Sequence, residues 1–178
     1  MSKDHLPKQV DPIRLADSTA ELKGSLPIKS MSRLVDSLMA PDGDAAVNLQ
    51  FGVDRQGFRH IKGQVQATLT LQCQRCLQPF PYEIVSDFQY GLVDSEKESS
   101  LLPGYYDPVV VQEGTLHIPD MVEEELIVNL PIVSMHDPND CEVKLPLFVA
   151  GDEATQSATE KASPFKVIES LKANKQKE

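Results

Sequence analysis

Three thiols and one imidazole in this chain fall at spacings that suit a single metal ion. Cys73 and Cys76 enclose Gln74-Arg75, and His136 precedes Cys141 across Asp137-Pro138-Asn139-Asp140. Two short-spaced pairs of soft or borderline ligands are what tetrahedral zinc accepts in structural sites, so Cys73, Cys76, His136 and Cys141 are the candidate ligands and structural zinc the candidate cofactor. The pairs are about sixty residues apart, so a shared ion would close a long loop. The residues leave two other readings open. A redox dithiol wants its first cysteine at a helix N-terminus, whereas Pro79 and Pro81 follow within five residues of Cys76 and oppose a helix there. Alternatively, Cys73 is a buried core thiol and the others are idle.

Other chemistry is sparse. There is no Gly-rich phosphate loop, no Gly-x-Ser-x-Gly elbow and no His-Glu-x-x-His. Glu123, Glu124 and Glu125 are consecutive and must point around a helix rather than converge as an acid and base pair. An enzyme is not expected, nor a small-molecule substrate. His5, His60 and His117 have no partner at ligand spacing. Arg55, Arg59, Lys62 and Arg75 are the basic residues that would meet RNA if RNA is bound directly, and Glu123 and Glu124 belong to a surface that would meet a basic partner.

The elements that must position these groups are legible in the pattern. Val65, Ala67, Leu69, Leu71 and Cys73 share one face of a strand while Gln64, Gln66, Thr68, Thr70 and Gln72 occupy the other, so Cys73 is carried inward. Val47, Leu49, Phe51 and Val53 form the preceding strand, joined through an Asp54-Arg55-Gln56-Gly57 hairpin turn. Tyr82, Ile84, Phe88 and Tyr90 alternate in the following one, which puts the Cys73–Cys76 pair at a strand-to-strand corner. Asp11-Pro12 opens a short helix, Thr19–Ile28 is an edge strand, and Met31, Leu34, Val35 and Leu38 predict a helix of about nine residues. Short strands at Val109–Val111 and Leu116–Ile118 would extend the sheet. A helix over about 120–130, begun by Asp120 with the three glutamates in its first turn, runs to Pro131.

The predicted fold is α+β, an antiparallel β-sheet meander core with flanking helices and a flexible C-terminal tail. One domain spans 1–149, a flexible acidic linker 150–163, and an amphipathic helix with a basic end 164–178. Three cysteines do not suit a secreted disulfide framework, the N-terminus lacks a signal-like apolar stretch, and apolar runs such as Leu126–Val133 fall short of a membrane span. The cytoplasm is the expected compartment.

The net charge of −10 is uneven. Residues 1–90 balance ten basic against ten acidic side chains, residues 91–160 hold two against fifteen, and the last eighteen hold five against two. An acidic middle repels phosphate backbones and attracts basic proteins, of which ribosomal proteins are an abundant class.

The Cys73-Gln-Arg-Cys76-Leu77 motif, the acidic helix running into Leu130-Pro131, and the His136 to Cys141 pair together resemble the YceD family of bacterial proteins. The likeness extends to Leu6-Pro7, Asp11-Pro12 and the closing Ser163-Pro164-Phe165. It implies a ribosome biogenesis factor, acting in synthesis, processing or stability of large-subunit ribosomal RNA without catalysis. Some members carry a second Cys-x-x-Cys after the position of His136; here only Cys141 stands there, so the histidine must substitute. The expected partner is a basic ribosomal protein or large-subunit precursor RNA. The alternatives are a direct RNA-binding protein and a zinc-stabilised adaptor unrelated to ribosomes.

Overall fold

The computed structural model describes residues 6–111 and 113–143. In chain order the elements are β1 (Gln9–Val10), α1 (Pro12–Asp17), β2 (Glu21–Pro27), α2 (Ser32–Val35), β3 (Asp44–Val53), β4 (Arg59–Gln72), β5 (Pro79–Val93), β6 (Asp107–Val110), β7 (Leu116–His117) and α3 (Ile118–Val128). Five strands form one sheet in the order β2-β3-β4-β5-β6, antiparallel except where β6 runs parallel to β5. The fold is α+β, as the alternation and the amphipathic helices require.

The sheet has one dry face and one wet face, a division available to antiparallel sheets. On β4 the side chains of Ile61, Val65, Ala67, Leu69 and Leu71 are buried, and α3 covers the same face with Met121, Val122 and Leu126. The outer face carries Lys62, Gln64, Gln66, Thr68 and Gln72, and cross-strand pairs such as Gln64 to Asp87 at 2.8 Å and Gln66 to Glu83 at 2.9 Å. Gly63 stands where its register partner Phe88 needs space: a Cβ there would lie 2.0 Å from the Phe88 ring. The Asp54–Gly57 turn closes as expected, with Gly57 at φ +90° and the Asp54 carboxylate accepting from the Gln56 and Phe58 amides.

Three local readings are corrected by long-range contacts. The helix expected over nine residues from Ser30 is a 3-10 turn, Ile28–Ser30, and the single turn α2. The chain leaves helical geometry because the Met39 amide donates to the Thr70 carbonyl at 2.8 Å and Ala40 bridges Thr70 on β4. Leu116–His117 does not extend the main sheet; it pairs with Gln9–Val10 as a separate two-stranded ribbon. Finally, α3 begins at Ile118, with His117 as the preceding cap residue and Pro119 in the first turn. Asp120 is therefore the acidic residue of that turn, its carboxylate 2.9 Å from His117 Nδ1, and the three glutamates fall one turn later.

That placement gives the glutamates a structural task. Glu123 is buried, and its Oε1 accepts the Arg33 and Leu34 amides at 2.7 and 3.1 Å, satisfying donors at the start of α2 that no residue of α2 could. Its Oε2 meets Arg33 Nε at 3.2 Å, and Glu124 takes Arg33 Nη1 at 2.6 Å. Glu125 turns toward β5, accepting from Ser86 and from Tyr90, each at 2.6 Å. The triplet does point around the helix: Glu123 and Glu124 tie α3 to Arg33 at α2, and Glu125 ties it to β5. The sequence-based linker (150–163) and terminal helix (164–178) lie outside the described residues.

Candidate metal centre

The even pleat of β4 delivers Cys73 to the dry face one residue beyond the strand, and its side chain is fully buried. The chain then reverses within four residues. The Leu77 amide donates to the Cys73 carbonyl at 2.8 Å, the Cys73 amide donates to Gln78 at 3.0 Å, and Leu77 takes φ +62°, which frees the chain to enter β5 at Pro79. This tight reversal aims backbone amides at sulfur. The His136 amide lies 3.5 Å from Cys73 Sγ, and those of Arg75 and Cys76 also point to it.

The second pair arrives on residues 131–143, beyond α3, a stretch without helix or strand. It is seated by the Gln74 amide donating to the Ser134 carbonyl at 2.8 Å and by the Phe80 ring, whose centroid is 4.9 Å from that of His136. A turn from Asp137 follows: its carboxylate accepts from the Asn139 amide, and its carbonyl accepts from Asp140 and Cys141. Cys141 returns to the interior and is buried. His136 Nδ1 stands 3.3 Å from Cys76 Sγ.

The four ligand atoms of Cys73, Cys76, His136 and Cys141 lie within 4.8 Å of one another. A tetrahedral zinc with bonds of 2.0–2.3 Å would separate its ligands by about 3.5–3.8 Å, so a small contraction would close the set around an ion. Electrostatics points the same way. Burial pushes the Cys73 thiol up, but the amides of Cys76, His136 and Arg75 outweigh it and bring it down to about 5. At Cys76 the Gln78 amide pulls downward, yet burial and the sulfurs of Cys73 and Cys141 win and hold its thiol above the ordinary range. One thiolate forms readily and then resists its neighbours; a dication relieves that repulsion. Soft sulfur with one imidazole fits zinc better than calcium or magnesium, which take oxygen.

The other sequence candidates do not gather. Arg55 sits at the tip of the β3–β4 hairpin and Arg59 just after the turn, at the start of β4, where Arg59 Nε pairs with Asp17 at 2.8 Å. Lys62 lies on the wet face between Gln50 and Gln89. Arg75 is at the opposite end of β4, about 40 Å from Arg59 at the usual rise per residue. The Glu123 carboxylate is spent inside the fold, while Glu124 is exposed apart from its bond to Arg33. Sequence reasoning missed Phe80 and Ser134, which seat the second ligand pair; Phe80 shares the inward parity of Ile84 and Phe88, and Ser134 left no signal. A cleft of about 560 Å³ between β6, β7 and α3 is lined by Arg33, Tyr90, His117, Asp120 and Glu124 among others. Within it Arg33 pairs with Glu124, and the Asp120 carboxylate lies 2.9 Å from His117 Nδ1.

Comparison with known proteins places these features in a family. Residues 61–172 match the model of the family described as large ribosomal RNA subunit accumulation protein YceD. A curated protein of that name from Haemophilus influenzae is 35% identical over 173 residues, covering 97% of this chain and 99% of its own length. No solved structure matches the chain.

Proposed function

We propose that this chain, which belongs to the YceD family, acts in accumulation of the large ribosomal RNA subunit as a non-catalytic binding protein of the cytoplasm. On this reading it holds a basic ribosomal protein of the large subunit and presents it to precursor RNA. The observation that carries the finer statement is the charge distribution: two basic against fifteen acidic side chains over residues 91–160. Such a field attracts a polycation and repels a phosphate backbone. The separation of Arg55, Arg59 and Lys62 from Arg75 along β4 also favours a protein partner over RNA.

In the same reading Cys73, Cys76, His136 and Cys141 hold one structural zinc. Four protein ligands leave no open position for substrate, which is the pattern of an architectural site. When bound, the ion would supply charge neutralisation to the sulfurs and a crosslink between the β4–β5 corner and residues 136–141. No helix among the described residues is long and apolar enough to cross a membrane.

The test is recovery of the tagged protein from growing cells at low salt, with and without ribonuclease. A large-subunit ribosomal protein should be retained after ribonuclease and be released steeply above about 0.15 M salt, where exposed charges are screened. Precursor RNA retained with proteins lost on ribonuclease would refute the holding role in favour of RNA binding. Recovery of neither would refute both.

A further inference from the structure

The surface over the cysteine corner is apolar where its surroundings are acidic. Leu77 is 63% exposed, Ile132 97%, Val133 51% and Met135 45%. These side chains come from two segments held side by side, since the Gln74 amide donates to the Ser134 carbonyl and Arg75 Nη2 lies 3.6 Å from Met135 Sδ. They therefore share one edge of the molecule with Arg75 among them. Large apolar side chains grouped in this way mark interaction sites more often than scattered ones do.

Two further observations define what fits there. From Glu113 to Val143 the chain carries eight Asp and Glu and no Lys or Arg, and Asp137, Asp140 and Glu142 stand exposed beside the patch. At its centre Arg75 Nε is buried and has no hydrogen-bond partner among the described residues. Nε itself is closed to an outside acceptor, so the part of the guanidinium that a ligand's carbonyl or carboxylate oxygen can meet is its Nη end beside Met135. Carboxylates around apolar side chains repel nucleic acid and select for lysine and arginine; an arginine at the centre and an apolar ring are common in protein interfaces.

We propose that this edge, formed by Leu77, Ile132, Val133 and Met135 around Arg75, is the docking surface for a lysine- and arginine-rich polypeptide segment that also carries large apolar side chains. The inference rests on the holding role proposed above and gives it a place. Apolar side chains of the segment cover Ile132 and Met135, its cations meet Asp137, Asp140 and Glu142, and one of its carbonyls accepts from Arg75.

The experiment uses the full chain and two probes, RNA-free ribosomal proteins extracted from purified large subunits, and large-subunit ribosomal RNA transcripts. A photoreactive benzoylphenylalanine is placed at position 132, and as a reference at position 85, an exposed valine of the sheet's wet face. The expected result is a crosslink from position 132, and not from 85, to a ribosomal protein. Binding should weaken by about tenfold or more in I132D/M135D and in D140K/E142K, as expected for central anchors and for charge reversal. The second variant alters exposed residues only, so the inference stays testable if the first misfolds. Unchanged affinity in both variants, or crosslinking from 85 alone, would overturn the docking surface and leave the holding role standing. Absence of ribosomal-protein binding by the unmodified chain would overturn the holding role and the surface with it. Crosslinks from position 132 to RNA, or only to this chain's own residues, would overturn the surface by assigning it another occupant.

Discussion

Glu123 is the acidic side chain whose removal should cost most, although its two neighbours in sequence carry the same charge. In E123A the Leu34 amide loses its acceptor inside the core and the Arg33 amide loses one at the half-buried margin. Stranding a buried donor costs about 1–3 kcal/mol; water can reach the Arg33 side, so its share belongs at the low end and that of Leu34 at the high end. Adding the lost packing of one methylene at about 0.8 kcal/mol brings the destabilisation to about 5 kcal/mol. E123Q should lose less, about 1–2 kcal/mol, because one carbonyl oxygen still serves both amides while the new NH₂ faces Arg33 Nε. E124A removes only an exposed partner of Arg33 and should stay within about 0.5 kcal/mol. Urea unfolding followed by circular dichroism reads the difference. For a slope of about 2 kcal/mol/M, E123A should move the midpoint down by about 2.5 M and E124A by a few tenths at most. Equal midpoints for E123A and E124A would refute the argument that Glu123 caps α2 from across the fold.

Three other outcomes follow from the same structure. G63A should destabilise by about 1–3 kcal/mol, because the added methyl meets the Phe88 ring at 2.0 Å and overpacking outweighs the gain from removing a flexible glycine; a midpoint equal to that of the unaltered protein would contradict the packing. The purified protein should carry one zinc per chain by elemental analysis, falling below half in C76S and in H136A; full occupancy in both would remove those two from the ligand set. Burial first, then the bond to Glu125, raises the Tyr90 hydroxyl above its ordinary value. Tyr90 thus favours the folded state fully below about pH 10, its unfolded value, and that contribution is lost as pH rises above it. Thermal unfolding from pH 8 to 11 should show a shallower alkaline loss in Y90F than in the unaltered protein, and identical slopes would count against the assignment.

What could be read from the chain depended on how local the cause was. The inward face of β4 follows from a strict period of two, and that period alone carries Cys73 to the buried side where its partners converge. That Cys73, Cys76, His136 and Cys141 could meet was visible because cysteines are few and closely spaced, although the geometry that gathers them depends on residues 131–143, which have no periodic pattern. The shortened α2 was illegible because its ending is set by Thr70, thirty-some positions away, and its beginning by Glu123, ninety positions from Arg33. The pairing of Gln9–Val10 with Leu116–His117 was hidden for the same reason: two-residue strands exist only through their partner. The glutamates looked like a solvated acidic face, and burial of Glu123 follows from the fold of a distant segment rather than from any neighbour in sequence.

The division of the four candidate ligands between a sheet corner and an irregular stretch sets an order of events during synthesis. Translation proceeds from the N-terminus, so β2 to β5 can pair before residues 136–141 exist, and Cys73 and Cys76 stand together as half a site. At synthesis rates of about 5–20 residues per second, Cys141 follows Cys76 by about 3–13 s. In that interval the two sulfurs at the corner are open to any soft cation or oxidant nearby. Arrival of His136 and Cys141 beside them is the closing event, so the least regular part of the chain is what ends the exposure of the most reactive.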